Sequence, residues 1–206
     1  MPAINALLRR IPIWAIYLAG AAIPVWLLAL GLTGGLGPDP VKELEHRLGR
    51  HALQLLLAGL AVTPLLRFAG LNLMRFRRAL GVVAFGYLSL HLLVWAVLDV
   101  QLDWPAIWKD IAERPYITVG MAGFALLLPL AATSNDSSLR RMGAAAWRRL
   151  HRLVYIAVPL GALHYVMSAK TWELEPILYL AAAAGLVALR LPILARARRS
   201  APGATR

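Results

Sequence analysis

The sequence predicts an all-α fold: a polytopic membrane helical bundle of six transmembrane helices, with the N-terminus and C-terminus both cytoplasmic. Three observations predict it. Of the 206 residues, 60% are hydrophobic and 16% charged, and the mean hydropathy is +0.64, too apolar for one soluble domain of this length. The apolar residues gather into six runs of roughly 18 to 22 residues, each near the length that crosses a hydrocarbon core as a helix. The basic residues alternate between the breaks: sixteen Lys and Arg fall in one alternate set, which includes both ends of the chain, and six in the other. The richer set marks the cytoplasmic side. Nine of the ten acids, all but Asp136, fall on the outer side.

In chain order the runs are Ile13–Thr33, Gly49–Leu66, Ala79–Leu98, Tyr116–Thr133, Leu150–Ser168 and Pro176–Leu194. The breaks between them, among them GGLGPDP, DVQLDWPAIWKDIAERP and SNDSSLRR, carry the Gly, Pro, Asn and Asp that favour chain reversal over helix continuation. The first run follows the pair Arg9–Arg10, but it outlasts a signal h-region and lacks a convincing cleavage site, so it is read as a retained span. Residues 1–195 form a single transmembrane domain in this reading. Residues 196–206, RARRSAPGATR, form a basic cytoplasmic tail expected to be disordered. The seven tryptophans lie mostly near span ends, where an interfacial belt places them.

Composition also excludes chemistry. With no cysteine there is no disulfide, thiolate haem, iron–sulfur cluster or Cys-based zinc site, so a redox metal must be held by His, Met or carboxylate. The net charge of +12 follows from topology, not from nucleic acid, because the basic residues lie between apolar runs. Neither GxGxxG nor a Walker sequence occurs, which argues against a nicotinamide site in this chain. Ser, Asp and His do not assemble into a hydrolytic triad at a common depth.

Five histidines remain as metal-ligand candidates. His91 lies some twelve residues into the third span and His164 in the outer half of the fifth, so they share a depth on different helices. Two imidazoles facing each other at one level are what six-coordinate haem b requires. Small residues beside them, Gly86 and Ser89 near His91 and Gly161 and Ala162 near His164, would let a flat macrocycle approach. The competing reading is two core histidines bonded to a carbonyl or to a hydroxyl such as that of Ser89. His151, at the inner boundary of the fifth span, has no histidine opposite, because Arg77 and Arg78 hold the matching positions. Its readings are a second haem with an unusual or absent sixth ligand, a hydrogen bond to a flavin or quinone, or a cap beside Arg148, Arg149 and Arg152. At 100° per residue it would stand about 220° from His164 around a straight helix, and Pro159 between them should kink that helix. His46 and His51 sit among charges at the outer mouth, an ordinary place for a solvated histidine.

The inner breaks form a cationic floor. Arg75, Arg77 and Arg78 in one, with Arg140, Arg141, Arg148 and Arg149 in the next, are accounted for by positive-inside retention and anionic lipid. The sharper reading is a grip on the phosphate of FMN by Arg77, Arg78 and Arg148.

GLGPDPVKELEHRLGR, the LSLHLL around His91, RPYITVG from Arg114, and WRRLHRLVY followed by LHYV resemble the MsrQ family. These are haem-binding membrane subunits of the periplasmic protein-methionine-sulfoxide reductase system, within the ferric-reductase-like transmembrane group that includes the membrane part of NADPH oxidases. The resemblance runs from Gly35 to Leu191. It implies a subunit of the bacterial inner membrane that carries electrons and has no substrate-reducing site of its own. Electrons would enter from a cytoplasmic flavin reductase or the quinol pool, cross by haem b with FMN associated, and leave to a periplasmic molybdenum-cofactor subunit that repairs methionine sulfoxide. The family's haem histidines map onto His91, His151 and His164. The wider group carries two histidines on each of two helices, whereas the third span here has only His91, so the number of haems stays open between one and two. Two other functions compete: a self-contained cytochrome b reductase acting on ferric chelates or oxygen, and a haem-free transporter with the histidines as proton relays.

Overall fold

In the computed structural model, which describes residues 1–169, 171 and 173–190, the chain is helical throughout, with no strand among the described residues. Helix α1 spans Pro2–Arg10, α2 Ile13–Leu32, α3 Pro40–Ala69, α4 Arg77–Leu93, α5 Trp104–Glu113, α6 Pro115–Ala132, α7 Asp136–Leu150, α8 Val154–Ser168 and α9 Leu174–Ala188. Five stretches are long and apolar enough to cross a membrane: Ile13–Leu32, Pro40–Ala69, Met74–Asp99, Pro115–Ala132 and Asp136–Ser168. The sixth apolar run forms α9, with 15 helical residues. Its expected end at Leu194 and the basic tail lie outside the described residues.

The breaks are more helical than the sequence suggested. Helix α3 starts nine residues before the predicted span, at a turn where Asp39 accepts a hydrogen bond from the Lys42 N–H and Pro40 opens the first turn; it ends on Gly70, at a φ of 65° that favours glycine. Asp103 caps α5 through the Ala106 N–H, and Asn135 caps α7 through the Ser138 N–H. The Pro, Asp and Asn that read as turn formers thus stop one helix and start the next. Helix α7 is bent at Gly143, with φ 76° and ψ 151° inside the helix.

Helix α3 packs along α4, and α6 along α8. Helix α9 covers α8 and α3, and α2 leans on α4 and α3. One core joins Leu53, Leu56 and Leu60 of α3 to Ala84, Leu127, Ala157, Val158 and Ala183. A second joins Leu27 and Leu36 to Leu44, Leu48, Ala52 and Tyr87. Small residues on α8 and α9, such as Ala157, Ala162 and Ala183, are fully covered, as expected where helix backbones approach closely in a membrane. Large apolar side chains face outward instead: on α2 only Leu27 is buried, while Leu18, Val25, Trp26 and Leu28 are exposed. A helix apolar on every side and buried on almost none has lipid as its solvent.

Of the tryptophans expected in an interfacial belt, Trp14, Trp26, Trp104 and Trp108 are all more than half exposed. Two others have different tasks. Trp95 is buried with Ile107 and Ile117, where α5 and α6 meet the end of α4, and Trp147 packs on a histidine. Trp172 lies outside the described residues.

Candidate functional site

His91 on α4 and His164 on α8 come together. Their ring centroids are 6.2 Å apart, with the planes at 76°. His91 Nδ1 meets the backbone carbonyl of Glu45 on α3 at 2.8 Å, and His164 Nδ1 meets that of Tyr116 on α6 at 2.7 Å. A carbonyl only accepts, so each Nδ1 carries the proton and donates it, which leaves the Nε2 lone pair of each ring available. The same use of one ring nitrogen to orient the other is the rule for metal-ligating histidine.

The seat of each ring is a glycine. A Cβ on Gly49 would stand 3.1 Å from His91 Nδ1, and one on Gly120 would stand 2.8 Å from His164 Nδ1. Gly49 follows Glu45 by four residues and Gly120 follows Tyr116 by four, so each glycine lies one turn beyond the carbonyl that its histidine uses. The missing side chain opens the helix surface at that carbonyl, and the imidazole fills the gap. This repeated arrangement was not read from the sequence; its signal was a glycine inside an apolar span on a helix without a histidine ligand. Of the small residues expected to make room beside the histidines, two can be placed directly. Gly86 faces open space, and Ser89 Oγ bonds the carbonyl of its own helix at Phe85, not His91.

Immediately after His91 the helix widens into a π-helical stretch, Val94–Asp99, a local form often met at functional sites. Lys42 at the start of α3 pairs with Asp99 at its end, tying those two elements together above Glu45. Arg114, between α5 and α6, is held above its ordinary value by the Tyr116 hydroxyl and the Asp110 carboxylate, so the loop leading to Tyr116 keeps its charge.

The donor set tests what this pair can hold. Two rings ligating one metal from opposite sides stand about 6.2 Å apart, from bonds of about 2.0 Å and about 1.1 Å more to each ring centre. The observed separation is the same. No group of three or more His, Asp or Glu gathers among the described residues; the pair offers two ligands on opposite sides, and a macrocycle would supply the other four. The pair fits haem.

His151 lies toward the other end of the bundle, in a short 3₁₀ turn, His151–Leu153, between α7 and α8. The change of helix type breaks the straight-helix geometry that the 220° estimate assumed. Its ring stacks on Trp147 at 3.7 Å, its Nδ1 lies 3.1 Å from the Trp147 carbonyl, and Ser134 Oγ lies 3.5 Å from its Nε2. Trp147 is itself fixed by its indole N–H on the Thr133 carbonyl.

His151 faces a cavity of about 450 Å³, within the range of small-molecule sites. Arg77, Arg78, Arg148 and Arg152 line it together with Leu55, Leu60, Phe85, Leu127, Tyr155 and Met74. Gly59 and Gly81 are also in the wall, and a Cβ on either would meet nothing within 4 Å. Arg78 is paired with Asp136. The three arginines singled out in the sequence are thus gathered with His151 around one apolar space, a donor set that suits a phosphate-bearing ring. His51 is engaged elsewhere: its Nδ1 meets Gln54 Oε1, whose amide in turn reaches the Tyr179 hydroxyl. His46 follows Glu45, the residue whose carbonyl holds His91.

The family model of the ferric reductase like transmembrane component matches residues 48–162, which takes in Gly49, His91, Gly120 and His151 and stops two residues short of His164. Proteins from Brucella ovis, Brucella canis and Brucella suis, each named protein-methionine-sulfoxide reductase heme-binding subunit MsrQ, are 49% identical over 179 residues, covering 87% of this chain and 81% of theirs. No solved structure matches the chain. More than half of the chain fits the transmembrane model, and the 49% identity extends over 87% of it: the chain belongs to the MsrQ family, within the ferric-reductase-like transmembrane group.

Proposed function

We propose that this chain is the electron-carrying membrane subunit of a methionine-sulfoxide reductase system, holding one haem b between His91 and His164. The observation that carries the reading is the facing pair itself, with its matching separation and both Nδ1 protons already bound to carbonyls. A haem iron held there supplies one-electron oxidation and reduction within the bundle. The chain's own residues prepare the site. Glu45 and Tyr116 fix the ring orientations and make the free nitrogens better donors. Gly49 and Gly120 allow the approach, and the packing of α3 on α4 and of α6 on α8 keeps the two rings at one depth.

The cavity beside His151 is the second cofactor site in this reading. Arg77, Arg78 and Arg148 bind the phosphate of FMN at its rim, and the apolar wall accepts the ring. His151, held by Trp147, is the ligand of a second haem or a hydrogen-bond partner of the flavin. Helix α9 is the sixth crossing, continued by the apolar residues that follow it in sequence, and both termini are cytoplasmic. The cavity then opens toward a cytoplasmic donor, a flavin reductase or the quinol pool. The histidine pair lies toward the periplasm, where a molybdenum-cofactor subunit takes the electrons and reduces methionine sulfoxide in proteins. The protein works in the bacterial inner membrane.

The test is a reduced-minus-oxidised spectrum of the purified protein, with pyridine haemochrome and flavin quantification, on wild type and on His91→Ala, His164→Ala and His151→Ala. Loss of the same haem signal in the first two variants supports the outer site, and the signal left in the third counts the haems. A wild type that stays colourless when haem is supplied during expression overturns the reading.

A further inference from the structure

A buried guanidinium stands behind the wall of the arginine-lined cavity. Arg190, two residues past α9, is 5% exposed. Its Nη2 donates to the Leu60 carbonyl at 2.9 Å and its Nη1 to the Tyr155 hydroxyl at 3.4 Å. Its charge lies over the Tyr155 ring, 5.8 Å from the centroid, and its Nε has no hydrogen-bond partner among the described residues. None of these contacts neutralises it. No described residue places a carboxylate within ion-pair distance. The only acid of the basic end is Asp136, which Arg78 engages, and residues 191–206 contain no Asp or Glu.

A buried cation without a counter-charge is expensive, far more so than a hydrogen-bonded neutral group. Leu60 and Tyr155, the two residues that Arg190 holds, both line the cavity. With Arg77, Arg78, Arg148 and Arg152 in the same lining, a nearly uncompensated cationic shell surrounds an apolar space. An anionic ligand in the space would supply a compensating charge for the buried Arg190.

We propose that Arg190 is a positioning residue for the ring of the cavity's ligand, acting through Tyr155. This rests on the reading that the cavity holds FMN and assigns the ring end of that site. Because the Tyr155 oxygen accepts from Arg190, the hydroxyl's own hydrogen is free to be donated to a ring carbonyl. The guanidinium charge behind it favours the form of the ring that carries negative charge, which for a flavin is the reduced one. The rim arginines take the phosphate, and Tyr155 with Arg190 takes the ring.

The experiment is a redox titration of the flavin bound to purified protein, in wild type and in Tyr155→Phe, Arg190→Met and Arg190→Lys. Tyr155→Phe and Arg190→Met are each expected to weaken binding of reduced relative to oxidised FMN about tenfold, a drop of about 30 mV for a two-electron couple. Arg190→Lys, which keeps the charge, is expected to recover most of that drop. An unchanged haem spectrum from the His91–His164 pair reports that each variant is folded. If Arg190→Met does not fold, Tyr155→Phe, which removes one oxygen atom, still decides. Bound FMN with a wild-type potential in Tyr155→Phe, or in both variants, overturns this inference while leaving the phosphate site standing. Wild-type protein that neither retains nor takes up FMN overturns both.

Discussion

The imidazole of His164 occupies the space that a side chain on Gly120 would fill: a Cβ built there lies 2.8 Å from His164 Nδ1. Because that nitrogen is bonded to the Tyr116 carbonyl one turn earlier, the glycine decides whether the histidine reaches its orienting partner at all. The Gly49–His91 contact repeats the relationship on α3 and α4, with slightly more room.

Gly120→Val is therefore expected to push His164 off the Tyr116 carbonyl. Overpacking of this kind costs about 1–3 kcal/mol, enough to lower haem affinity about tenfold or more. Gly49→Ala, with a 3.1 Å approach, should lose less. Gly81→Ala places its methyl in open space and should leave the histidine-pair haem unchanged. Haem content per protein after purification, read beside helical content by circular dichroism, checks the series; equal haem in Gly120→Val and wild type would remove the glycine from the argument.

Trp147 and His151 form the second relationship that variants can probe. The indole stacks on the imidazole, and its N–H ties the end of α6 to α7 through the Thr133 carbonyl. Trp147→Leu loses the stack and that hydrogen bond, together about 1–2 kcal/mol. Thermal unfolding in detergent should shift down accordingly. The spectrum of the His91–His164 haem should stay as in wild type, while any signal that depends on His151 should weaken. A loss of all haem together would mean that Trp147 supports the whole bundle.

The Lys42–Asp99 pair joins the start of α3 to the π-helical end of α4. The lysine is 44% exposed, so the contact is worth at most about 1 kcal/mol and weakens with salt. Lys42→Met is expected to lower the melting temperature slightly at low ionic strength and not at high. The charge-swapped double variant Lys42→Asp with Asp99→Lys should recover most of the loss.

The spans and the histidine pair were legible because each rests on a one-dimensional signal. Apolar length marks a crossing, and counting residues inward from the span ends puts His91 and His164 at one depth. The helices α5 and α7 were not legible, since their sequences are short, charged and punctuated, and what supports them as helices is the capping by Asp103 and Asn135 and, for α5, the packing of Ile107. The glycine seats were hidden for a different reason. A histidine finds its partner on a neighbouring helix, 46 residues away for His91 and 48 for His164, and no local pattern encodes that pairing. Arg190 falls inside the predicted sixth span, Pro176–Leu194, and was read only as one of the sixteen basic residues of the inner side. Its burial follows from how α9 lies over α3 and α8, which the sequence does not state.

Orientation sets the direction of the path between the cavity and the histidine pair, and the chain permits a clean measurement. It contains no cysteine, so a single introduced thiol is the only reactive one. Ser137, in the first turn of α7, and Lys109, on α5, are both exposed and lie in breaks assigned to opposite sides. With the basic end cytoplasmic, a membrane-impermeant maleimide added to intact spheroplasts should label Lys109→Cys and spare Ser137→Cys. Inverted vesicles should give the reverse. Haem content equal to wild type in both variants confirms that the label reports the native arrangement. Labelling of Ser137→Cys from outside would place the arginine-lined cavity at the periplasmic face, and a cytoplasmic donor would then meet the His91–His164 end first.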